Sequence, residues 1–188
     1  KYDTEFISIV AEKMAANEKP VAAAHIIYYT GTSQVSPASV ANFGDGVTLD
    51  TNQSKFNASS QSGFMVFNKP VTQIPNNAFS GKTVLTSITL PTTITTIGNN
   101  AFNGCTALTG ALEIPETVTT IASYAFAYCE YLSEVYLPKL LTTVESAVFE
   151  GCDDALRIVF EGSVPTRVAE DAFEPLNAYY MSEYSRIW

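Results

Sequence analysis

The most reactive side chains in this chain are three cysteines, Cys105, Cys129 and Cys152, which recur at a nearly constant interval. As thiolates they could attack a carbonyl or hold a metal. Their spacing suits neither chemistry. A metal knuckle needs ligands close together in sequence, and a nucleophilic thiol needs a base beside it. The single histidine, His25, lies far upstream of all three. If the chain stacks in coils, neighbouring cysteines come about 5 Å apart at Cα, which a disulfide accepts. Three is an odd number, however, and Lys82 and Leu176 fill the same position in the first and last units. The position therefore reads as a small, buried, apolar side chain in a tight turn. Glu113 and Glu134 are a formal acid–base pair for glycoside hydrolysis, but only the repeat brings them together. No phosphate loop, dinucleotide fingerprint or metal cluster occurs. These readings predict a chain that is not an enzyme and uses no cofactor.

A period positions the cysteines. Phe79, Phe102, Phe126, Phe149 and Phe173 follow one another in the same rhythm. A period of about 23 residues means a solenoid with one supersecondary unit per repeat. Within a unit, Leu85-Thr86-Ser87-Ile88-Thr89-Leu90-Pro91 alternates apolar and polar residues, the pattern of a strand with one buried face. Pro91 ends the strand, having no N–H for the ladder. Ile94 and Ile97 then turn inward, Gly98-Asn99-Asn100 makes a turn, and Ala101-Phe102 sends a ring into the core. One residue inserted near Gly110 explains why the interval from Phe102 to Phe126 is longer than the one before it. Each phenylalanine is expected to stack on the next.

Length and composition fit one such solenoid with caps. At 188 residues and 46% hydrophobic content the chain can bury a core. A net charge of −9 argues against nucleic acid, whose phosphates need clustered Lys and Arg, and against an anionic membrane surface. No run of 18 apolar residues occurs, so no membrane insertion is expected. No signal peptide is visible, and the chain opens at Lys1 rather than Met, as either processing or trimming would leave it.

The segments flanking the repeats read differently. Residues 1–19 carry Phe6, Ile9, Val10 and Met14 at helical spacing, with Asp3 as cap and Pro20 as stop. Residues 20–62 read as a capping segment: a strand over 24–30, then turns with a short helical piece. The repeats occupy 63–176, beginning with a degenerate coil at Met65, Phe67, Val71 and Ile74. Residues 177–188, with Tyr179, Tyr180, Tyr184 and Trp188, read as the C-terminal cap that an open solenoid end requires.

The unit Leu-x-x-Ile-x-Leu-Pro-x-x-Ile-x-x-Ile-Gly-x-x-Ala-Phe-x-x-Cys, complete from Leu85 to Cys105, resembles the BspA-type leucine-rich repeat of bacterial surface proteins. Ile27-Tyr28-Tyr29-Thr30, Phe43-Gly44 and Val71-Thr72-Gln73-Ile74 are similar to that family's lead-in. Lys82, Leu176, Gly162 and Val148 depart from the pattern at its Cys, Pro and Ala positions. The resemblance implies an α/β-type solenoid, a right-handed superhelix of about five coils with 23–24-residue repeats, an N-terminal helix and capping segments. It also implies a secreted or cell-surface protein. Some relatives are adhesins for host matrix proteins, and the family has no catalytic residues to carry over.

In such a solenoid the outward side chains of the strands form a continuous face. Alternation puts Val66, Thr89, Glu113, Tyr136 and Val159 in one column, and Ser87, Ala111, Glu134 and Arg157 in the other. Thr89, Glu113, Glu134, Tyr136, Arg157 and Val159 are the candidate ligand-binding residues, since Tyr and Arg most often anchor interfaces. The plainer alternative is a solvated sheet face on which Glu134 and Arg157 pair for about 1 kcal/mol at most. The expected partner is an extracellular or host protein. A glycan on exposed tyrosines, or a spacer that binds nothing, are the competing readings.

Overall fold

The computed structural model describes residues 24–38, 42–163 and 165–174. The expected helix over 1–19 and the aromatic cap over 177–188 lie outside them. Twelve strands run in order: β1 (Ile26–Gly31), β2 (Leu49–Asn57), β3 (Ser62–Phe67), β4 (Gln73–Ile74), β5 (Leu85–Thr89), β6 (Thr96–Ile97), β7 (Thr109–Glu113), β8 (Thr120–Ile121), β9 (Tyr131–Leu137), β10 (Thr143–Val144), β11 (Arg157–Phe160) and β12 (Arg167–Val168). From β4 to β12 the chain winds through four turns, each adding one long and one short strand.

The repeats form a β-solenoid rather than an α/β one: among the described residues there is no helix. The cause lies in the turns. Asn77, Asn100, Tyr124 and Ala147 adopt φ of +57°, +53°, +58° and +54°. Gly81, Gly104, Tyr128 and Gly151, each one helical turn's length further on, adopt +69°, +71°, +56° and +68°. Two left-handed residues per coil interrupt any right-handed helix before it can propagate. The described part of 31–62 likewise holds turns and the long strand β2, with no helical piece.

One side of the solenoid is closed along its whole length. β4, β6, β8, β10 and β12 form one parallel sheet, in which Ile74, Ile97, Ile121, Val144 and Val168 share a register row. Threonine hydroxyls add a second ladder just before these strands. Thr95, Thr119, Thr142 and Thr166 Oγ1 donate to the carbonyls of Thr72, Thr95, Thr119 and Thr142 at 3.0–3.3 Å. The backbone N–H groups of Thr95, Thr119 and Thr142 donate to the carbonyls of Thr72, Thr95 and Thr119 at 2.9 Å. Each of those three carbonyls thus uses both lone pairs.

Inside, the five landmark phenylalanines stack as expected. Centroid separations are 5.3, 5.2, 5.9 and 6.0 Å, with interplanar angles of 16° or less. Phe43 from the lead-in closes one end, edge-on to Phe79 at 6.2 Å. The cysteines sit beside this stack. Each thiol donates to the carbonyl of the phenylalanine one coil back: Cys105 to Phe79, Cys129 to Phe102 and Cys152 to Phe126, at 3.1–3.3 Å. They are free and buried.

The lead-in changes the other side. β1 runs antiparallel between β3 and β5, giving a four-stranded sheet ordered β2-β3-β1-β5. Alternation places Val66 on the outward column, yet it is fully buried: every residue along β3 is buried, so both faces of this inner strand are covered. Gly162 does not stand at the proline level either. The N–H of Glu161 donates to Leu137 at 3.0 Å, and a Cβ on Gly162 would lie 2.8 Å from Lys139 Cα. Glu161 therefore follows the level of Pro138 and Gly162 that of Lys139.

Candidate functional site

The candidate residues lie on β5, β7, β9 and β11, whose inward positions fill the core and whose alternate positions face out. β7, β9 and β11 form a three-stranded parallel sheet. Its register sets Glu113, Tyr136 and Val159 in one row and Ala111, Glu134 and Arg157 in the other. Tyr136 and Val159 are half-buried, and Glu113 is exposed. The Tyr136 hydroxyl donates to Glu134 Oε2 at 2.7 Å, and Arg157 forms a salt bridge with Glu134 Oε1. Glu134, 17% exposed, is committed to both, while Arg157 stays 55% exposed. The carboxylate thereby holds a phenol ring and a guanidinium in fixed positions on the surface. One of its oxygens accepts from each partner.

Thr89 belongs to this face but not to this sheet. It pairs with Tyr28 of β1, and β5 is the edge of the four-stranded sheet. β7 is the edge of the three-stranded one. Between them the ladder is open, although β6 and β8 of the same two coils are bonded in register. The opening coincides with the residue inserted near Gly110, which sits at φ +75°, and with a shift in the β7–β9 register at Gly110/Ala111. At that step the register passes over Ser133 of β9.

A cleft of about 450 Å³ occupies this opening. Ser87, Thr89, Ala111, Glu113 and Tyr136 line it at one end, and Pro115, Glu116 and Glu161 at the other. A hydrogen bond with Glu116 holds the Glu161 carboxyl above its ordinary range, helped by desolvation and the Glu116 charge and opposed by Lys139. The strand edges on both sides leave backbone groups that water or a ligand must satisfy.

The thiols are buried donors to core carbonyls. Burial raises Cys105 to about 12 and Cys152 to about 11, and holds Cys129 well above the ordinary thiol range. Activation of a thiol as a nucleophile runs in the opposite direction. No group of three or more His, Cys, Asp or Glu among the described residues could hold a metal ion.

Sequence reasoning misses three features. Glu116 and Glu161 fall just past the strand ends, outside the alternation that reads the face. The threonine ladder is written as Thr-Thr before Ile97, Ile121 and Val144, but a threonine pair reads equally well as plain polar surface. Tyr124 and Tyr128 are exposed by 39% and 44% and lie in a turn, while Tyr131, exposed by 66%, is the first residue of β9.

Residues 50–178 match the family described as BspA type leucine rich repeat region, in six copies. Among solved structures, the chain is similar to a leucine rich cell surface protein from Faecalibacterium prausnitzii. Identity is 24% and the TM-score 0.35, over 56% of this chain and 40% of that one. This chain thus spans less than half the length of that relative. No curated protein matches it.

Proposed function

This chain belongs to the BspA-type leucine-rich repeat family, and on that premise we propose that it is a non-catalytic, cell-surface or secreted module that binds an extracellular protein on its long-strand face. The observation that carries the reading is the cleft at the open ladder between β5 and β7, bordered by Thr89, Glu113 and Tyr136. The short-strand side satisfies its own backbone from coil to coil. Here two strand edges, a fixed tyrosine and several carboxylates are turned toward a partner. Tyr136 and Arg157 are of the types that dominate interface energetics, and their common tether to Glu134 lowers the ordering cost of binding. Val159 extends the same row as an apolar contact.

The test is surface plasmon resonance of the chain against purified extracellular matrix proteins, with Tyr136→Ala and Arg157→Ala run beside it. Tyr136→Ala is expected to weaken binding by about 2 kcal/mol while leaving the melting temperature nearly unchanged. A panel without a binder, or full affinity in a folded Tyr136→Ala chain, contradicts the proposal. The first of these results would favour a spacer.

A further inference from the structure

The turns that lead from the short strands into the long ones carry a second surface that the proposed function does not use. Two of the large apolar side chains exposed among the described residues, Tyr124 and Tyr128, lie in one of these turns. Tyr124 stands in the turn position that Asn77 and Asn100 occupy in the preceding coils, at φ +58°. Tyr128 stands where Gly81, Gly104 and Gly151 are found, at φ +56°. Asparagine and glycine suit that conformation, and a bulky side chain there is an outlier. This coil accepts an unfavourable backbone twice and displays two phenol rings by doing so.

The Tyr128 ring lies against the next turn, where a Cβ on Gly151 would meet it at 2.4 Å. Its hydroxyl donates to Glu150 Oε1 at 2.8 Å. Glu150 and Gly151, with Ala147, Asp171 and Glu174, line a hollow of about 270 Å³. The Tyr128 ring therefore lies beside a depression lined by Ala147 and Gly151 together with the carboxylates of Glu150, Asp171 and Glu174.

Charge selects the occupant. The turn segments 122–130, 145–155 and 169–174 contain eight carboxylates and no Lys or Arg, whereas the earlier turn over 98–107 contains no charge. An aromatic face attracts a Lys or Arg head group through its quadrupole, and the surrounding carboxylates add to that field. We propose that this turn face binds a Lys- or Arg-rich segment of a partner protein. A basic side chain lies over the Tyr124 and Tyr128 rings and its neighbour enters the hollow beside Glu150, Asp171 and Glu174.

The test uses the whole chain and a fluorescein-labelled oligoarginine peptide, read by anisotropy. A length-matched Gly/Ser peptide and a set of neutral oligosaccharides run in parallel. The variant is Tyr124→Asn with Tyr128→Gly. It installs the residues that neighbouring coils use at these positions, so the fold is kept and a melting curve verifies it. The proposal expects oligoarginine to bind and the double variant to lose about tenfold in affinity. Undiminished binding by the double variant would show attraction by net charge alone and overturn the proposal. Binding of an oligosaccharide without the peptide, or no binding at low salt, would overturn it as well.

Discussion

The coils carrying β6 and β8 are bonded on one side of the solenoid and parted on the other. On the short-strand side, Thr96 pairs with Thr120 and Ile97 with Ile121. Threonine hydroxyls double the backbone bonds there, and the Phe102 and Phe126 rings lie parallel within 2° behind them. On the long-strand side, β5 and β7 of the same coils belong to different sheets. The same repeat and the same core produce both sides. They differ in two local additions: the antiparallel partner β1 on β5, and an inserted residue with Gly110 at positive φ on β7. A solenoid can therefore hold its stability on one side and open a site on the other.

The largest effect should come from breaking the bonded side at its core. Phe126 sits between Phe102 and Phe149. Phe126→Ala should cost about 3–5 kcal/mol, measured by urea unfolding; a loss under about 1 kcal/mol would contradict the continuous stack. A smaller effect is expected from Thr119→Val. It removes the hydroxyl bond to Thr95 while the backbone N–H still serves the same carbonyl. The expected cost is about 1 kcal/mol, and a neutral result would make the threonine ladder decorative.

The smallest effect lies on the open side and depends on pH. The folded-state pKa of Glu161 is raised above its ordinary 4.5 by the hydrogen bond with Glu116. Proton uptake thus favours the folded chain. The stabilisation is fully present below the ordinary value and is lost as pH rises through the raised one. Glu161→Ala should remove a stability gain on acidification just above pH 4.5, seen as a difference in melting temperature between the chains. Identical pH profiles would show that the two carboxyls do not share a proton.

Most of the bonded side can be read from the chain. Phenylalanine spacing gives the stack, and the Ile-x-x-Ile pattern gives the row through Ile97 and Ile121. The Tyr136 and Glu113 row, with Glu134 beside Arg157, follows from period-two alternation because β7, β9 and β11 obey the simple repeat. The open side is not legible in the same way. Alternation places Thr89 next to Glu113, but the pairing of β5 depends on β1, a segment far upstream with no repeat signature. Alternation also fails to register that both faces of β3, and with them Val66, are covered. The α/β expectation for the repeats, which came with the family resemblance, fails for a local reason: Asn100 and Gly104 take left-handed φ. The thiol ladder shows how a residue type can be read correctly as buried while its donor role stays invisible until the coils are stacked.

The central claim is the difference between the two sides, and native-state amide hydrogen exchange tests it most directly. The account predicts that β5 and β7 amides facing the cleft exchange at least about tenfold faster than β6 and β8 amides of the same coils. Equal protection on the two sides would mean that the long-strand ladder is closed in solution, and would contradict both the open edge and the site built on it.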